Sequence, residues 1–99
     1  MKLYVLLRED LNPTYGAVQA GHAVTEFLLR GPRTEWNNGT LVYLGMKNEE
    51  ELIAWGERLS IKGLEWAGFR EPDIGNELTA IACVTDGKVF ANLRLVKNP

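Results

Sequence analysis

The feature that most constrains the fold is the run Leu3-Tyr4-Val5-Leu6-Leu7, closed by Arg8-Glu9-Asp10. Five consecutive apolar residues ending abruptly in charge read as a strand buried on both faces, because a half-solvated strand would alternate. Such a strand needs cover on each side. The next segments supply it: Asn12-Pro13 is a helix start, with Asn12 as cap and Pro13 at the first helical position, and the helix is expected to end near Gly31-Pro32. On its wheel Ala17, Ala20, Val24, Phe27 and Leu28 share one face, with Tyr15, Gln19, His22 and Glu26 along the opposite stripe.

The rest alternates in the same way. Residues 40–46 (TLVYLGM) read as a second buried strand. A second helix follows, capped by Asn48, with three glutamates in its first turn and Lys62-Gly63 at its end. Residues 64–69 form a third strand, Arg70 to Leu78 a polar loop, and Thr79 opens a fourth strand, followed by a turn at Thr85–Lys88 and an extended or short helical tail. The order β-α-β-α-β-β predicts an α/β fold, a single mixed sheet of four to five strands covered by helices, in one domain over residues 1–99. With the first and third strands parallel, Arg8, Asp10, the loop from Arg70 to Asn76 and Thr79 reach one sheet edge, where sites form in such folds.

Several functions are excluded or disfavoured by composition. The 11 basic and 13 acidic residues are interspersed, so a nucleic-acid partner needs a local patch made by folding. Cys83 is the one cysteine and His22 the one histidine, which precludes an intrachain disulfide and the usual zinc ligand sets. The opening apolar run is shorter than a signal-peptide core or a membrane span, and a cytoplasmic location without membrane attachment is expected. Ser60, the single serine, has no nucleophile-elbow context, and no glycine pattern cradles a phosphate. Carboxylates, hydroxyls and amides at the sheet edge remain, a set suited to activating water.

Those residues resemble a known family. The segments VLLREDL, QAGHA, GLEWAGFREPDIGNELTAIA and NLRLV, in this order, resemble the type II peptidyl-tRNA hydrolases along nearly the whole chain. The resemblance implies a compact α/β fold, usually a homodimer, that hydrolyses the ester between a peptide and the 3′ end of tRNA without a cofactor or metal. It implies Asp73 orienting or deprotonating water, Thr79 and backbone N–H groups stabilising the oxyanion, and Gln19 and His22 holding the site or the 3′ adenosine. Arg8, Arg70 and Lys62 would meet phosphates, with Asp10, Tyr15 and Asn76 as further substrate contacts. The family's basic stretch before the glutamine is replaced here by NPTYGAV, with Tyr15 near the place of an important lysine.

Each residue also has a plain structural use. Asp10 beside a helix start complements its positive end, Arg8 can pair with Glu9 or Asp10, and Pro72-Asp73 is ordinary turn chemistry. His22 lies roughly 13 Å along the helix from its start, which favours an orienting or substrate-contacting role over that of general base. Two alternatives to hydrolysis stand beside it: a non-catalytic RNA- or protein-binding module, and a structural homodimer whose interface is the Tyr15, Gln19, His22 and Glu26 stripe or a sheet edge.

Overall fold

The computed structural model describes residues 1–96. Its elements are β1 (Lys2–Arg8), α1 (Pro13–Leu29), β2 (Leu41–Met46), α2 (Glu49–Ile61), β3 (Trp66–Glu71) and β4 (Glu77–Thr85), with single 3-10 turns at Pro72–Ile74 and Lys88–Phe90. The four strands form one mixed sheet in the order β2-β1-β4-β3. β1 pairs parallel with β2 and antiparallel with β4, and β4 pairs antiparallel with β3. The chain is therefore an α/β protein in which the two most central strands carry the longest apolar runs.

Alternation along β1 divides the core. Leu3, Val5 and Leu7 pack on one face with Ala20, Ala23 and Phe27 of α1 and with Ala67, Ala80 and Ala82. Tyr4 and Leu6 pack on the other with Leu52, Trp55 and Leu59 of α2 and with Met46, Ile81, Cys83 and Phe90. Alanines line both sides of the α1–β4 contact, so the helix axis can sit close to the sheet. Burial pushes the Cys83 thiol up to about 11, the behaviour of an inert core residue.

Both helix starts match the sequence reading. The Asn12 side chain accepts from the amides of Thr14 and Tyr15, and the Asn48 side chain accepts from Glu51. Other boundaries move. β3 runs two residues beyond the expected Phe69, to Glu71, and the tail folds back along β2, where Gly45 N–H donates to Arg94 O and Val96 N–H to Tyr43 O. That pairing covers the β2 edge, whose bare amides would otherwise be open to another strand.

The face of α1 also differs from expectation. Gly16, Gln19, Ala20, Ala23 and Phe27 are buried, whereas Ala17 and Leu28 are exposed. The cause is β3: α1 lies mainly over β4 and β3, which turns the Gln19 flank inward. Among the described residues no helix is long and apolar enough to cross a membrane.

Gly87 offers a test of the packing. It has φ +92°, and a Cβ there would collide with the Tyr4 hydroxyl. Gly87→Ala is expected to lower stability by about 1 kcal/mol or more, from the positive φ and the collision together, as read from urea unfolding midpoints.

Candidate functional site

β1 and β3 are both antiparallel to β4, so Arg8, Glu71 and Glu77 end or begin at one edge of the sheet. A β-bulge organises it. Phe69 pairs with Ala80 and Arg70 with Leu78, leaving Thr79 without a partner on β3. The extra residue changes the phase of β4: Leu78 packs on the α2 side, and Ala80 on the α1 side. Thr79 consequently points to α1 and is wholly buried, while the Leu78 amide donates to the Glu49 carboxylate at 2.7 Å.

A polar chain runs outward from that bulge. The Thr79 hydroxyl lies 2.8 Å from Gln19 Oε1 and 3.1 Å from the Phe69 carbonyl, and its single hydrogen serves one acceptor at a time. Gln19, also fully buried, donates from Nε2 to Glu71 Oε1 at 2.9 Å. The other Glu71 oxygen accepts from the Asp73 amide at 3.4 Å and so caps the turn that carries Asp73. Gly75 (φ 74°) and Asn76 (φ 61°) close the turn, with Asn76 N–H donating to Glu71 O at 2.9 Å. Arg70 donates to the Asn76 carbonyl at 3.1 Å.

The electrostatics follow from these contacts. The Gln19 hydrogen bond, helped by the Asp73 amide, Tyr15 and the nearby His22, holds the Glu71 carboxyl below the usual glutamate value against the cost of burial. Tyr15 is shifted the other way, up, by burial and then by the charges of Glu71 and Asp73, so its phenol stays protonated. Its oxygen is shielded from water beside Glu71 without a well-formed hydrogen bond. The exposed His22 ring stacks on Phe69, centroids 4.2 Å apart and 15° between planes. It therefore lies over β3 near Glu71, nearer the site than its distance along α1 suggested.

Arg8 belongs to a different cluster. Its Nε and Nη2 grip both Asp10 oxygens at 2.9 and 2.8 Å, and Nη1 donates to Glu77 at 2.7 Å and to the Leu78 carbonyl at 3.1 Å. Only 7% of the Arg8 side chain is exposed. Asp10 raises the Arg8 pKa, and Arg8 in turn lowers that of Asp10. The pair fastens the end of β1 to the start of β4. Beside it, on the flank of α1 away from Gln19, a groove of about 910 Å³ is lined by Leu7, Asp10, Thr14, Ala17, Tyr43 and Lys47, among others.

Of the residues singled out in the sequence, Asp73, Tyr15, Gln19, Thr79 and His22 come together around Glu71. Arg70 and Asn76 flank the turn, while Arg8 and Asp10 pair with each other. Glu71 itself was missed, and its signal was the length of β3: two more residues of strand bring a carboxylate to the strand end. Among the described residues no group of three or more His, Cys, Asp or Glu side chains is placed to hold a metal ion.

Neither a protein-family model nor a curated protein matches the chain. Among solved structures, the chain is similar to the protein of unknown function Atu0240 from Agrobacterium tumefaciens strain C58. The TM-score is 0.72 at 14% identity, over 97% of each chain. At that identity the likeness is one of fold.

Two outcomes are expected. Thr79→Val leaves the Gln19 carbonyl unpaired in the interior and should cost about 1–3 kcal/mol in urea unfolding, with Thr79→Ser close to wild type. Because the Glu71 and Asp10 carboxyls are depressed in the folded chain, the stability they contribute is present above their unfolded values and lost as pH falls through the folded ones. Unfolding followed from pH 6 downward should show a steeper acid loss in wild type than in Asp10→Asn, beginning below about pH 4.

Proposed function

We propose that this protein is an ester hydrolase of the peptidyl-tRNA hydrolase type, acting as a cytoplasmic homodimer on peptidyl-tRNA or N-blocked aminoacyl-tRNA. One observation carries the reading: Tyr15, Gln19 and His22 from one segment and Asp73 and Thr79 from another, distant in sequence, gather at a single strand-end site around Glu71. Asp73, Gln19, Thr79 and His22 are among the residues through which the chain resembles that family, and Tyr15 stands where the family has a lysine.

In this reading the exposed Asp73 carboxylate orients water and takes its proton as the oxygen attacks the ester carbonyl. The protonated Tyr15 phenol donates to the developing oxyanion, the amides of Asp73, Gly75 and Asn76 being already used within the turn. Thr79 is enclosed and its hydrogen committed, so it acts through Gln19 rather than on substrate. The His22 ring, backed by Phe69, offers its outer face to the terminal base, a contact of a kind worth about 1–3 kcal/mol. Arg70, exposed at the turn, is better placed than Arg8 for a phosphate, since four of the five Arg8 N–H groups are already used.

A second reading, a binding module that keeps the fold without cleaving, is favoured by the same occupied Arg8 and by carboxylates, not cations, around Tyr15. Acyl release from N-acetyl-aminoacyl-tRNA, with free aminoacyl-tRNA as control, separates the two. Hydrolysis predicts weak release by wild type and a fall in kcat on the order of 100-fold or more in Asp73→Asn, with KM little changed. Tyr15→Lys should raise turnover by placing a cation beside the ester, and Tyr15→Phe should lower it. tRNA binding should weaken steeply with salt, with a shallower slope in Arg70→Ala. Binding without cleavage by both wild type and Tyr15→Lys would leave the module as the function.

A further inference from the structure

We infer that Glu71 is a positioning residue for Asp73: held by Gln19, and through Gln19 by Thr79, its carboxylate fixes the turn that presents Asp73 at the sheet edge. The inference rests on the hydrolase reading and adds to it a residue and a way of acting.

Asp73 has little else to hold it. It is exposed, at the middle of a single turn over Pro72–Ile74, and the start of that turn is tied to the body of the protein through the two ends of Glu71. The Glu71 carbonyl accepts from Asn76 N–H and the carboxylate accepts from Asp73 N–H, so one residue closes the turn from both sides. The carboxylate gains a fixed place from Gln19, a side chain with no solvent exposure whose other end meets the equally buried Thr79. The bulge at Thr79 aims that hydroxyl at Gln19. The bulge in the sheet thereby ends in the placement of one surface carboxylate.

The chain of bonds has a direction, which makes it testable. Thr79 donates to the Gln19 carbonyl, the Gln19 amide donates to Glu71, and Glu71 accepts again from the Asp73 amide. Replacing Glu71 by glutamine alone can be absorbed if the Gln19 amide turns over, Gln19 then donating to the Thr79 oxygen and Thr79 to the Phe69 carbonyl, so that change by itself should be mild. Replacing Gln19 by glutamate sets two carboxylates against each other. With both changes made, residue 19 accepts from Thr79 and from the new amide at 71, whose carbonyl still accepts from Asp73. Every bond is then restored with the charge moved inward. If Glu71 instead exchanged protons with substrate itself, the double variant would lack the needed carboxylate and stay impaired.

The test measures kcat and KM on N-acetyl-aminoacyl-tRNA, and amide exchange at Asp73 to Asn76, in wild type, Glu71→Gln, Gln19→Glu and the double variant. The folded state is checked by melting. Glu71→Gln should stay near wild type, while Gln19→Glu should lose on the order of 10–100-fold in kcat with KM little changed, the size expected when a reacting group is misplaced by a fraction of an ångström to an ångström. Exchange at the turn should quicken in step. The double variant should regain most of the lost kcat and the native exchange, although burying a charge lowers its melting temperature. If Gln19→Glu does not fold, Glu71→Asp takes its place as the impaired partner of the double variant. If the double does not fold either, Glu71→Asp, too short to reach Gln19 and Asp73 together, must show the same joined loss of kcat and turn protection. Full kcat with native exchange in Gln19→Glu, or a folded Glu71→Gln or double variant that stays inactive, sinks the inference while leaving the hydrolase reading intact. Wild type that releases no acyl group sinks that reading and this inference with it.

Discussion

The arrangement at the sheet edge depends on one extra residue in β4. Without the bulge at Thr79, alternation along β4 would send Leu78 and Ala80 to the same face and Thr79 to the other, toward α2. The buried Gln19 carbonyl oxygen would then lose its partner, at a cost of about 1–3 kcal/mol. The bulge also releases the Leu78 amide from regular pairing, and Glu49 at the start of α2 takes it up. A local defect in pairing is thus tied off by a side chain from each helix, Gln19 on one face and Glu49 on the other.

That double attachment explains which residues at the edge are structural and which are available for chemistry. Arg8 satisfies the start of β4 through Glu77 and the Leu78 carbonyl, and Asp10 balances the charge left over. Neither side chain can turn to a ligand without exposing a cation or a carbonyl in a nearly buried position, which is expensive. Asp73, Tyr15 and His22 carry no comparable structural load. They lie where loss of a contact would leave the core untouched, the usual situation of residues held for use on a rigid scaffold.

Much of the fold is legible in the sequence because local rules and tertiary packing agree. The five-residue apolar run of β1 needed cover on both faces, and Asn12-Pro13 and Asn48 marked the two helices that provide it. Where they disagree the reading goes astray. Gln19 falls on the polar stripe of an isolated helical wheel, but β3 packs against that flank and makes an interior residue of it. A wheel cannot show a polar contact whose partner is created by a bulge 60 residues later. Pairing of the tail with β2 is equally hidden, since Arg94-Leu95-Val96 has no strong strand signal of its own and gains its order from the open β2 edge. Gathering Asp73, Arg70 and Asn76 near one edge required only the strand-direction rule. Identifying Glu71 required the true length of β3.

The same geometry sets a condition on any anionic substrate. Glu71 is ionised more firmly than an ordinary glutamate, Asp73 lies close enough to raise Tyr15, and Asp10 and Glu77 stand a few residues away around Arg8. A tRNA acceptor end brought to Tyr15 meets this field before it meets a cation, and Arg70 at the turn is the nearby charge free to offset it. An ester carbonyl, by contrast, is neutral until water attacks, and a protonated phenol beside it costs nothing in charge. Under the proposed hydrolase reading, that balance means the acyl end is handled closely and the phosphates are held at a distance, which is where a basic loop before α1 would otherwise have helped. Tyr15 is thus the position at which adding one positive charge should change the chemistry most and the fold least, because its side chain reaches the site from the first turn of α1 and its hydroxyl has no well-formed bond to lose.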